Sequence, residues 1–103
     1  MFGEIQLCRF PLTSGAVGKT RPALVLFDLG LDVLLCRITS VSHSGTLDIK
    51  LADWKPTGLL RPSVARLDRL VTAERSILIK RLGQLSTGDA AVIRNAWNQH
   101  MKL

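Results

Sequence analysis

Residues 21–39 read RPALVLFDLGLDVLLCRIT. Ala23 to Asp28 is a continuous apolar run rich in Val and Leu, which predicts a strand buried on both faces. Leu29-Gly30 offers a tight turn, and Leu31 to Thr39 returns as a second apolar run. Both runs are strand-sized, far short of the about 20 apolar residues that a membrane span needs.

Working outward, Gly3 to Arg9 alternates loosely and predicts a first strand, with Pro11 to Arg21 as a polar loop. Downstream, Ser40 to Thr46 predicts a loop, Leu47 to Leu51 a short strand, and Asp53 to Pro62 an irregular crossing. Ser63 to Thr72 alternates, which would set Arg66 and Asp68 on one strand face as a pair. Ser76 to Leu82 reads as a short strand ended by Gly83. Ser86 is a candidate N-cap with Asp89 three residues on, opening a helix whose apolar face is Val92, Ile93, Ala96 and Trp97. The expected fold is mainly β with a C-terminal helix, a small barrel or curled sheet in a single domain over residues 1–103.

With 47% hydrophobic and 21% charged residues, the chain has globular composition. Its start has neither a basic segment nor a long apolar one, so no signal peptide is read and a cytoplasmic location is expected. Cys8 and Cys36 fall in apolar runs and read as buried free thiols. No Cys/His cluster suggests a metal site, and no cofactor is expected. Residues 1–53 carry five basic and five acidic groups, whereas residues 54–103 carry nine and three, so the whole +6 charge lies in the second half. That balance points to an anionic partner, nucleic acid or an acidic protein segment.

Gly15-Ala16-Val17-Gly18-Lys19-Thr20 looks like a phosphate-binding P-loop, but Thr13 stands where the first Gly is needed. Arg21-Pro22 also leads into a strand-like run rather than a helix, so nucleotide hydrolysis is rejected. The same segment still gathers Lys19, Thr20 and Arg21, an ammonium, a hydroxyl and a guanidinium able to hold a phosphodiester. A second hydroxyl pair, Thr39-Ser40, closes the following apolar run.

Taken in order, Gly3-Glu4-Ile5, the loop from Pro11 through Gly18-Lys19-Thr20-Arg21-Pro22-Ala23-Leu24-Val25, and Ile38-Thr39-Ser40 resemble PemK/MazF toxins. The similarity runs on through Gly58-Leu59, Ser63-Val64, Asp68, Thr72, Leu82-Gly83-Gln84-Leu85 and the closing helix, covering nearly the whole chain. Each string is weak alone; the ordered set is specific. The resemblance implies a compact SH3-like barrel acting as a homodimer. It further implies metal-independent, sequence-specific cleavage of single-stranded RNA, and inhibition by a cognate acidic antitoxin. Arg21 and Thr39 match the family's active-site arginine and threonine, and Arg66 and Asp68 match an Arg-x-Asp pair used by some members. Lys19, Thr20, Ser40, Arg66 and Asp68 are then the expected RNA-contacting residues.

One departure matters. Many members carry an acidic, polar stretch where this chain has Ala16-Val17, so no proton acceptor or base reader can be carried over from there. Asp68 is the carboxylate left as candidate base, with a structural pairing to Arg66 as its alternative reading. Two rivals stand beside the nuclease: a non-enzymatic gyrase poison of the same fold, and a basic SH3-like binding module. Neither needs both the Arg-Pro and the Ile-Thr-Ser strings.

Overall fold

A computed structural model describes residues 1–10 and 18–103. Its strands are β1 (Glu4–Phe10), β2 (Lys19–Asp28), β3 (Asp32–Thr39), β4 (Asp48–Lys50), β5 (Val64–Glu74) and β6 (Leu78–Gln84), followed by helix α1 (Thr87–His100). They form one six-stranded antiparallel sheet in the order β4-β5-β3-β2-β1-β6. The sheet is not closed: β4 and β6 are its edges. Among the described residues no helix is long and apolar enough to cross a membrane.

Strand β2 is buried on both sides, as its unbroken apolar run predicts. Leu24 and Leu26 join Ile5, Cys36, Ile38 and Leu67 in the larger core, while Ala23 and Val25 join Cys8, Val33 and Leu35 in a smaller one. The two cores follow from the two-residue period of β3, whose successive side chains leave on opposite faces. Cys8 and Cys36 are free and buried, one in each core. Desolvation pushes their thiols up, to about 11 for Cys8 and about 12 for Cys36, so both act as small neutral apolar groups. At the β2–β3 turn, Gly30 takes φ +87°, its N–H donates to Asp28 Oδ1 at 2.9 Å, and the Leu29 N–H donates to the Asp32 carbonyl at 2.9 Å. The Asp28 carboxyl is held below its ordinary value by that Gly30 N–H, with the Arg75 guanidinium adding to it.

Between β4 and β5, the crossing folds into a short 3-10 turn, Lys55–Thr57, which lies on β6. It stands in the gap that a closed barrel would fill with strand pairing. The approach is backbone to backbone: a Cβ on Gly83 would meet the Thr57 carbonyl carbon at 2.5 Å, and one on Gly58 would meet the Leu82 oxygen at 2.4 Å. Gly83 is the penultimate residue of β6, paired with Ile5 of β1, whereas the sequence predicts a strand that ends before it. Packing overrides the usual stop signal, because only a residue without a side chain allows that contact.

Ser86 caps α1 as expected, its Oγ accepting from the Asp89 N–H at 3.1 Å. Asp89 is 4% exposed, and its carboxylate accepts from the Ala52 N–H at 3.1 Å and the Asp53 N–H at 2.9 Å. The helix start thus anchors the beginning of the crossing. Ile93 and Trp97 face the larger core, with Trp97 edge-on to Phe27 at 5.5 Å between ring centroids. Val92, expected on that face, is 52% exposed. A helix on a curved sheet buries a stripe narrower than the four apolar positions suggested. Trp54 also packs against the larger core, with Lys55 Nζ over its ring at 5.8 Å.

The alternation of residues 63–72 is not maintained. Arg37 pairs with Arg66 but Cys36 pairs with Leu70, so β5 carries an irregularity at residues 67–69. Asp68, Arg69 and Leu70 are consecutively exposed, and Asp68 does not share a regular face with Arg66. The partner of Arg66 is Asp48 on β4, at 2.9 Å, directly across the ladder. The expected Arg66–Asp68 pair is corrected to Arg66–Asp48, because a bulge breaks the parity on which the expectation rested.

Candidate active site

Pro22 shapes the site. It has no N–H to offer, it pairs with Leu7 of β1, and the β2–β3 ladder stops one residue later at Ala23↔Arg37. Beyond that point β2 and β3 are not hydrogen-bonded to each other. Continuing the register by two residues sets Arg21 across from Thr39. Between them lies a cavity of about 600 Å³, lined by Arg21, Pro22, Arg37, Thr39, Ser40 and, from the crossing, Gly58, Leu59, Leu60 and Arg61. The Gly58–Leu82 and Gly83–Thr57 contacts hold that far wall in position.

Thr39 is oriented by a local turn: its Oγ1 accepts from the Val41 N–H at 3.1 Å. With one lone pair engaged, its hydroxyl hydrogen remains available as a donor. Arg21 and Arg37 are exposed along the cavity, and neither makes an ion pair among the described residues. Among the described residues, no carboxylate or imidazole lines the cavity. Its chemistry is that of an anion site built from guanidinium and hydroxyl donors, with Leu59 and Leu60 supplying an apolar edge.

A second cavity of about 380 Å³ adjoins the first, lined by Phe10, Leu35, Leu70, Val71 and Arg69, and sharing Arg21, Pro22 and Arg37 with it.

Of the residues expected from the sequence, Arg21, Thr39 and Ser40 come together. Lys19 and Thr20 are exposed at the start of β2, paired with Phe10 and Arg9 of β1, and lead into the cavity rather than line it. They open a strand, not a helix, which agrees with rejecting the P-loop reading; most of that Gly-rich loop lies outside the described residues. Arg66 is held by Asp48, with its side chain 15% exposed, and Asp68 lies at the bulge; neither lines either cavity. The Asp48 carboxyl is held below its ordinary value by the hydrogen bond from Arg66, with the Gly45 N–H adding to it. Arg37 and Arg61 are the residues that sequence reading missed. Arg37 precedes Thr39 by one strand period, a signal that was present; Arg61 lies in irregular backbone, where no periodicity can point to it.

The family model described as PemK-like, MazF-like toxin of type II toxin-antitoxin system matches residues 1–101. No curated individual protein matches the sequence. Solved structures share the fold. An endoribonuclease from a mycobacterial species matches with a TM-score of 0.75 at 17% identity, over 98% of this chain and 89% of that one. A MazE–MazF structure from Deinococcus radiodurans gives 0.77 at 20% identity, over 97% and 94%. A MazF toxin of Mycobacterium tuberculosis gives 0.69 at 23% identity, over 92% and 96%. With residues 1–101 matched and the fold of a sheet and terminal helix shared, the chain belongs to the PemK-like, MazF-like toxin family of type II toxin–antitoxin systems.

Proposed function

We propose that the protein is a sequence-specific endoribonuclease that cleaves single-stranded RNA without a metal ion and is silenced by an acidic antitoxin. The observation that carries this is the meeting of Arg21, Thr39 and Ser40 in one cationic cavity where two strands part. Family membership supports the toxin–antitoxin setting. Fold neighbours called endoribonucleases, one of them in complex with its cognate antitoxin, agree with it.

In the mechanism, the RNA supplies its own nucleophile. The 2′-oxygen attacks the adjacent phosphorus in line, the bond to the 5′-oxygen breaks, and the products are a 2′,3′-cyclic phosphate and a 5′-hydroxyl. One proton leaves the 2′-OH and one reaches the departing oxygen. Arg21 clamps the non-bridging oxygens as negative charge accumulates, and the Thr39 hydroxyl adds a neutral donor. Guanidinium charge takes the electrostatic part of the work, while Arg21 itself stays protonated and is no base. Lys19 and Thr20 meet flanking phosphates, and Ser40 donates beside Thr39. Arg66, its charge largely offset by Asp48, adds a weaker contact to the RNA than Arg21 does. Asp68 can only accept hydrogen bonds when ionised, so it reads a base amine or a sugar hydroxyl rather than a phosphate. The enzyme works as a homodimer in the cytoplasm, and the basic surface that attracts RNA also attracts the antitoxin's acidic segment.

The test is a long RNA incubated with the protein in EDTA, with the new 5′ ends mapped. Recurrent cut motifs with 5′-hydroxyl ends are expected. A 2′-deoxy sugar immediately 5′ of the scissile phosphate should bind and resist cutting. Cutting of that substrate, or strict dependence on added magnesium, overturns the mechanism; intact RNA throughout overturns the nuclease reading itself.

A further inference from the structure

The partition between the two cavities is formed by Arg21, Pro22 and Arg37. Arg37 is exposed, and among the described residues no carboxylate is paired with it; residues 11–17 contain no Asp or Glu. Directly opposite on β5 stands Arg66, a like charge, neutralised by Asp48 from the other side. Like charges facing each other across a ladder are unfavourable in the free protein. A polyanion lying over them reverses the sign.

The smaller cavity fits the rest of a nucleotide. Phe10, Leu35 and Val71 supply apolar and aromatic surface, Arg21, Arg37 and Arg69 supply positive charge, and among the described residues no acidic one lines it. Its about 380 Å³ falls within the range of small-molecule sites. Aromatic and guanidinium faces stack on bases whatever their identity, while cationic groups hold the attached phosphate. An acidic peptide would use the charge but leave the aromatic surface without a matching group.

We propose that Arg37 is a substrate-binding residue that joins two nucleotide subsites. It would hold the phosphate next to the scissile one, while the base on that side enters the Phe10 cavity. This rests on the ribonuclease reading and adds a residue and a base site to it.

The test uses a short 2′-O-methyl RNA covering a mapped cut site, or a mixed-sequence one if no cut is found, with binding measured by anisotropy across a salt series. Arg37→Ala should bind about tenfold more weakly, the scale of one lost charge-assisted contact. Its log affinity against log salt should be shallower by about 0.7, the loss of one phosphate on a single strand. Arg37→Lys should keep the slope and recover part of the affinity. The melting temperature of Arg37→Ala should not fall, because a like-charge neighbour of Arg66 has gone. In an abasic walk along the RNA, one position beside the cut should weaken wild-type binding, and Phe10→Leu should blunt that sensitivity. Wild-type affinity and slope in Arg37→Ala overturn the proposal. So does weaker binding that merely tracks a fallen melting temperature, or a changed oligomeric state with RNA affinity intact, which would assign the cavity to a protein interface. If wild-type protein fails to cut RNA, the nuclease reading falls separately, and the salt slope still decides Arg37.

Discussion

Arg21 and Thr39 line one cavity beside Pro22. A proline costs a strand one donor, and here the missing donor coincides with the point where β2 and β3 cease to pair and a cavity opens. Arg21 is exposed and makes no ion pair among the described residues, so Arg21→Ala should fold as wild type. It should lose cleavage by about 10²–10³ or more, the usual effect of removing one preorganised charge contact. Thr39→Ala should lose about tenfold or more, since a neutral donor contributes less. Single-turnover cleavage of a mapped substrate, with circular dichroism as fold control, checks both; near-wild-type rates in a folded Arg21→Ala protein refute the assignment. That Arg21, Thr39 and Ser40 would lie together was legible because an Arg-Pro pair and a strand-end hydroxyl pair are local features. Arg66 with Asp68 was misread because parity counts residues along one strand and is blind to a bulge.

Among the elements, two join the edges of the sheet to the site. The 3-10 turn Lys55–Thr57 rests on β6 through Gly83, where an added methyl would sit 2.5 Å from the Thr57 backbone. Gly83→Ala should cost about 1–3 kcal/mol, as overpacking does, read from urea midpoints. Because the same contact supports the Leu59–Arg61 wall, cleavage should fall more than in an exposed Gly88→Ala control, whose new methyl comes no nearer than 4.0 Å to Ser86 Oγ. Equal stability of Gly83→Ala and wild type would show that the crossing can lift away freely. Strand β4 is short and is tied to β5 by Asp48–Arg66. The Arg66 guanidinium lowers the Asp48 pKa in the folded chain, so the pair's contribution is present above the ordinary Asp value near 3.9 and is lost as pH falls through the lower folded value. Asp48→Asn should therefore melt below wild type at pH 7, with the gap closing in the acid range. A gap that stays constant down to pH 2 would remove the ion pair as its cause.

For the whole molecule, charge is unevenly distributed along the chain but converges in space. The second half carries the +6 surplus, yet the two adjoining cavities take Arg21 and Arg37 from the neutral half and Arg61 and Arg69 from the basic one. An acidic antitoxin segment and RNA should therefore compete for one surface. Inhibitor affinity should fall steeply with added salt, and uncleavable RNA should displace the inhibitor in a titration. Simultaneous, independent binding of both would separate the inhibitory surface from the catalytic one.

Local patterns in the chain were sufficient for the β-rich class, the doubly buried β2, the Gly30 turn, the Ser86 cap and the nearness of Arg21 to Thr39 and Ser40 around one cavity. Each of these depends on contacts or periodicities a few residues long, which amino-acid order displays directly. Tertiary structure alone decided that Asp48 is the partner of Arg66, that Gly83 is a packing contact inside β6, and that Arg37 and Arg61 border the cavity. Those facts depend on strand order, register and one bulge. Register is set by how two faces of a sheet bury their apolar side chains at once, and that balance is struck between segments tens of residues apart.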